Sequence, residues 1–140
     1  DHTPRMNVKH FKTSTLALLA FSTFMATQCM AAPKWEAITL NDQGLFYIDA
    51  NSVTQESGRK VLWSAIDYKK PQSTAEGQAY LSTQTQLMIN CQAKMARVMH
   101  MTYYSGAMLT GKVISRQGML NEWMDIDPSS AVHKIARRVC

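Results

Sequence analysis

From Trp35 onward, apolar and polar positions alternate with a period of two along most of the chain, and the period lengthens only near the end. Trp35 to Leu40 and Leu45 to Asp49 read as two short strands joined by the turn cluster Asn41-Asp42-Gln43-Gly44, a hairpin. Ala50 to Gly58 is polar and reads as a loop. Arg59 to Tyr68 carries Val61, Trp63 and Ala65 on one face and Leu62, Ile66 and Tyr68 on the other, which predicts a central strand. Lys69 to Gly77, which contains Pro71, reads as a loop. Tyr80 to Cys91 puts Leu81, Thr83, Thr85, Leu87, Ile89 and Cys91 on one face, with Gln84, Gln86 and Asn90 opposite. Met95 to Tyr104 predicts another strand, Ser105-Gly106 and Gly111 a bend, and Lys112 to Ser115 a last short strand.

The final segment has the period of a helix. Asp127-Pro128 supplies a capping carboxylate and a ring suited to the first helical position. Val132, Ile135, Ala136 and Val139 follow on one stripe, while Arg137 and Arg138 suit the negative end of the helix dipole. A helix of about twelve residues is marginal alone and must pack on something. The predicted fold class is therefore α+β: a small antiparallel sheet of about six strands with one C-terminal helix packed on it.

The first thirty-one residues read as an address. A basic stretch from Met6 to Lys12 precedes about ten mostly apolar residues, Leu16 to Met25, and small residues follow at Ala31 and Ala32. This order predicts a signal peptide over 6–31, an upstream extension or expression remnant over 1–5, and one domain over 32–140. Ala26-Thr27-Gln28-Cys29 is a weak lipoprotein box that would give an alternative cut before Cys29, and membrane attachment would come only through a lipid on that cysteine. No apolar run reaches the length of about 18 residues that a spanning helix needs.

Residues 32–140 number 109 and carry 12 basic and 9 acidic side chains, a net charge of +3 against +5 for the whole chain. No basic run exceeds two residues, and nucleic-acid binding would want a basic stripe set with aromatics. Cys91 and Cys140 are the cysteines left after leader removal, and in an oxidising compartment an even pair reads as a disulfide. It would fasten the end of the helix to the strand carrying Cys91. A redox-active or metal-binding thiol pair is the alternative, but there is no Cys-x-x-Cys.

Candidate catalytic groups are sparse. His100 and His133 are the histidines of the domain, and no serine lies in a nucleophile elbow. Asp125 and Asp127 read as a turn and a helix cap, and no Gly-rich phosphate loop is present. No enzyme activity and no bound cofactor are expected. The many methionines (Met95, Met99, Met101, Met108, Met119 and Met124) and His100 leave copper or haem carriage open, with adaptable core filling as the plainer reading. On an unbroken strand Met95, Met99 and Met101 would share a face and His100 would oppose them. Tyrosines and tryptophans on the sheet face away from the helix would be typical binding anchors.

Taken in order, one set of residues resembles the bacterial surface-adhesin protein E family over essentially all of 32–140. The set opens with Trp35, Tyr47-Ile48-Asp49, Val61-Leu62-Trp63 and Asp67-Tyr68. It continues with Tyr80-Leu81-Ser82, Asn90-Cys91, Arg97, Tyr103-Tyr104-Ser105-Gly106 and Gly111, and ends with Trp123, Pro128-Ser129-Ser130 and Val139-Cys140. The resemblance implies a small antiparallel sheet with a disulfide-tied C-terminal helix. It also implies a non-enzymatic protein on the outer surface or in the periplasm of a Gram-negative bacterium. Family adhesins bind host extracellular-matrix and serum proteins such as vitronectin and laminin, which makes these the expected partners. Asn90 stands where the family more often has Asp, and the weak lipoprotein box leaves a periplasmic envelope-interaction module as the alternative. Exposed basic and aromatic positions, Lys69, Lys70, Arg97, Tyr103 and Arg116, form the expected contact set, suited to acidic host segments. An exposed edge strand would allow a homodimer.

Overall fold

The computed structural model describes residues 2–4, 31–118 and 122–140. The expected leader, apart from Ala31, lies outside the described residues, as do Cys29 and Met119. Eight strands and one helix follow in order: β1 (Trp35–Leu40), β2 (Gly44–Asp49), β3 (Thr54–Glu56), β4 (Arg59–Ser73), β5 (Ala79–Asn90), β6 (Met95–Tyr104), β7 (Val113–Gly118), β8 (Met124–Asp125) and α1 (Ala131–Val139). All strand pairs are antiparallel, and the path through the sheet is β1-β2-β4-β5-β6-β7. These six are the strands the alternation predicts. The other two are short: β3 pairs with β4 beside Arg59 to Val61, and β8 pairs with β6 at Met95 and Ala96.

Their absence from the sequence reading has a simple cause. All three residues of β3 are exposed and polar, so no alternation marks them. The hairpin is made by its turn, where Ser57 and Gly58 both have positive φ, 50° and 78°. Two such residues in succession give the twist a two-residue hairpin requires.

Strand β4 also runs further than expected, through Lys69 to Ser73. The pairing slips there: Asp67 faces Ser82 and Gln72 faces Tyr80, so four residues of β4 (68–71) stand opposite Leu81. Pro71 lies inside this irregularity, where the ladder does not need its missing N–H. A smaller slip breaks β6. Val98 faces Leu87 and His100 faces Gln86, leaving Met99 as the extra residue.

One face of the sheet, here the inner face, carries the core. Ile48, Leu62, Leu87, Ile89 and Ala96 project from β2, β4, β5 and β6 and meet Ile135 of α1, all of them buried. Burying a side chain of this size contributes about 1.5–3 kcal/mol, so Ile135 alone gives the helix a reason to form. The helix is shorter than expected. Its N-cap is Ser130, whose hydroxyl accepts from the His133 N–H. Asp127 instead accepts from the N–H and hydroxyl of Ser129, which closes a turn before the helix. At the other end the Cys91–Cys140 disulfide joins residues 49 apart in sequence, and the Cys140 N–H bonds to the Ala136 carbonyl.

Two further contacts fix the edges. The buried Asp49 carboxylate accepts from the N–H groups of Lys34 and Asn51, tying the entry of β1 to the end of β2. Gly44 lies against β4 so closely that a Cβ there would collide with the Asp67 carbonyl oxygen.

Candidate binding surfaces

Helix α1 packs over the end of the inner face that holds Leu62, Leu87 and Ile89. The strands continue beyond it, and there the inner face is aromatic. The Tyr80 ring meets Tyr68 edge-on at 5.7 Å and Tyr103 at 4.7 Å between centroids. Such edge-to-face pairs are favourable beyond the area they bury. The three rings are half-buried, and burial raises the pKa of the Tyr68 and Tyr80 hydroxyls. Lys69 and Lys70 follow Tyr68 directly and are exposed on the widened segment of β4. The Lys69 N–H is held by the Gln43 carbonyl, so the backbone is anchored while the side chains stand in solvent.

Of the five expected contact residues, Tyr103 belongs to the ring cluster of the inner face, and Lys69 and Lys70 are exposed directly after Tyr68 on the widened segment of β4. Arg116 pairs with Thr102, next to Tyr103 in β6, and therefore belongs to the outer face. Arg97 is also on the outer face but at the opposite end, beside Met88. Its guanidinium lies over the Trp123 ring at 5.6 Å, and Arg59 lies over the same ring at 5.1 Å. The Arg97 Nε is buried without a hydrogen-bond partner among the described residues.

The extra Met99 also separates the methionines. Met101 faces Thr85 on the inner side, whereas Met95 keeps the outward phase of Arg97. The shared methionine face expected for a copper site is therefore not formed. Among the described residues no three His, Cys, Asp or Glu side chains are grouped as metal ligands would be. No described helix is long and apolar enough to cross a membrane.

The bend after β6 folds back onto the outer face. The Met108 N–H donates to Asp67 Oδ1 at 3.0 Å, the Leu109 N–H donates to Ser82 Oγ at 2.9 Å, and the Ser82 hydroxyl donates to the Gly106 carbonyl at 2.6 Å. Asp67 and Ser82 are cross-strand partners, so a polar pair of the sheet pins this loop. Met108 and Leu109 adopt positive φ, 50° and 61°, within these bonds.

Sequence reasoning singled out Tyr103 but not the ring cluster around it. The signal was present in the spacing of Tyr68, Tyr80 and Tyr103. Reading it required the register of β4 against β5, which the four-against-one slip conceals. Arg59 was missed for a related reason, since its contact with Trp123 joins two distant segments.

The geometry described here has known counterparts. A crystal structure of protein E from Haemophilus influenzae superposes with a TM-score of 0.58 at 15% identity, covering 79% of this chain and 91% of that one. A second crystal form superposes at 0.61 with 13% identity, over 79% and 94% of the two chains. Protein E from non-typeable Haemophilus influenzae gives 0.54 at 14% identity, over 77% and 80%. At such identities the likeness shows the fold. No curated protein matches the chain. The model of the surface-adhesin protein E family matches residues 35–140, from the first residue of β1 to the cysteine that closes the disulfide, and the chain belongs to that family.

Proposed function

We propose that this protein is an exported, non-enzymatic adhesin that binds host extracellular-matrix or serum proteins of the vitronectin and laminin type. The contact surface in this reading is the tyrosine end of the sheet: Tyr68, Tyr80 and Tyr103 with Lys69 and Lys70, which follow Tyr68 in the chain. One observation carries the reading. The slip in β4 leaves two adjacent lysines exposed directly after Tyr68, which is one of three half-buried rings in mutual contact, and the Lys69 N–H is anchored on the Gln43 carbonyl. Aromatic anchors with flanking cations suit an acidic protein segment. Membership of the surface-adhesin family supports the same reading.

Export follows from the leader expected over 6–31; outer-surface display by a lipid would require the alternative cut before Cys29, which keeps that cysteine in the mature chain. Binding to immobilised vitronectin and laminin tests the activity. The doubly substituted Lys69→Glu, Lys70→Glu protein is expected to bind at least about tenfold more weakly, a change of 1.4 kcal/mol. Equal binding by both proteins would move the contact surface elsewhere, and absence of binding by the unsubstituted protein would refute the adhesin reading. Protease shaving of whole cells separates display from a periplasmic role, because only a displayed protein is removed.

A further inference from the structure

Helix α1 carries His133, Lys134, Arg137 and Arg138 on its outward sides, and three of these are engaged. Arg138 is bidentate to Glu36 at 2.8 and 3.0 Å. The Lys134 ammonium donates to Thr39 Oγ1 at 3.0 Å. His133 faces Asp127, whose pKa is lowered mainly by the hydrogen bonds from Ser129 and also by this charge. Arg137 has no acidic partner among the described residues, and neither does Lys94 in the turn between β5 and β6.

These two free cations border the same recess. It holds about 220 Å³ beside the disulfide, between α1 and the ends of β5 and β8. The buried Ile89 forms its floor with Cys91, Ile126 and Ala136, and its rim is Lys94, His133 and Arg137. Small-molecule sites usually hold at least about 300 Å³, so this recess suits a single side chain. An apolar floor under unpaired positive charge calls for a group that is apolar at its tip and acidic beside it.

We infer that the recess is a second docking site, which takes one aromatic side chain from an acidic segment of a partner protein, with the flanking carboxylates on Arg137 and Lys94. It lies on the helix, apart from Lys69 and Lys70, and stands whether or not the adhesin reading does.

The test uses the disulfide-bonded protein, nitrogen-labelled for amide resonances, and three blocked tetrapeptides: Asp-Phe-Asp-Asp, Asp-Ala-Asp-Asp and Lys-Phe-Lys-Lys. The first is expected to shift the amides of Cys91 to Lys94 and Ile135 to Arg137 saturably. The other two are expected to bind about tenfold more weakly, because each lacks one half of the recognition. Arg137→Glu should weaken the first peptide by a similar factor, while Arg116→Glu, remote on β7, should leave it unchanged. Ala136→Leu fills the recess without altering charge and should erase the advantage of Phe over Ala. Unchanged masses for the disulfide-bonded variants verify that the helix is still fastened. The proposal fails if the first peptide gives no saturable shift or shifts other amides. It also fails if the lysine peptide binds equally, or if Arg137→Glu behaves like Arg116→Glu.

Discussion

The Arg97 guanidinium lies 5.6 Å from the centroid of the Trp123 indole, and Arg59 lies 5.1 Å from the same centroid. A residue expected to meet a partner is thus committed to the protein itself. Cation–π contacts contribute about 0.5–2 kcal/mol each, and the indole covers sheet surface besides. Trp123→Ala is expected to lower stability by about 1–3 kcal/mol in urea unfolding. Arg97→Lys, which keeps the charge but loses the planar stack, should cost less. A neutral result for Trp123→Ala would mean that the stack carries no weight.

The Cys91–Cys140 bridge joins residues 49 apart in sequence. Chain-entropy reasoning assigns such a closure about 4 kcal/mol, a large part of the 5–15 kcal/mol of an ordinary domain. Reduction, or Cys91→Ser with Cys140→Ser, should lower the unfolding free energy obtained from urea titration by about that amount, and α1 should lose protection from amide exchange first. Equal midpoints for oxidised and reduced protein would contradict this.

Arg138 holds the Glu36 carboxyl below its ordinary value of 4.5, first by hydrogen bonding and then by charge. A depressed carboxyl contributes its stability above the unfolded value, and that part is lost as pH falls through the folded value. Acid titration of the unfolding midpoint below about pH 4.5 should therefore be shallower for Glu36→Gln than for the unsubstituted protein. The pair is exposed, so the difference should be small and should shrink in added salt.

Tyr68 has the opposite sign. Burial raises its hydroxyl above the usual value of 10.0, so the fold favours the neutral ring. That contribution is complete below the unfolded value and is lost as pH rises through it toward the folded one. Tyr68→Phe should reduce the loss of stability above about pH 10, and tyrosinate absorbance should develop later in folded than in unfolded protein. Identical alkaline profiles for the variant and the parent would exclude Tyr68 as a source.

A methyl group at position 44 would collide with the main chain of β4. Gly44→Ala is expected to cost at least about 2 kcal/mol, because the obstructing neighbour is backbone and cannot rotate away. Thermal unfolding measures the change directly, and a midpoint within a degree of the parent would show that β2 and β4 can separate freely.

Six strands, the disulfide and the helix were legible because each rests on a local pattern or a count. The alternation of Leu87, Ile89 and Cys91 marks the covered face of β5, and Ile135 marks the covered stripe of α1. What was hidden depends on register. Glu56 gives no alternation to read, and Lys69 to Ser73 joins β4 although Pro71 argues against a strand. Asp127 resembles a cap but Ser130 takes the role, since both are good caps and only the three-dimensional path decides between them. The candidate surface was partly legible: Tyr103 stands in the ring cluster and Lys69 and Lys70 are exposed, whereas the sides that Arg97 and Arg116 occupy depend on a register that the pattern does not give.

Met99 divides β6 into two reading frames. Before it, even-numbered residues point toward the helix, and after it odd-numbered ones do. Were Met99 taken into the ladder as an ordinary residue, the two sides of the distal half would exchange, sinking Thr102 and lifting Tyr103 away from Tyr80, while the proximal half kept its seat under α1. One backbone irregularity thus insulates the part of the strand that holds the protein together from the part that is free to diversify.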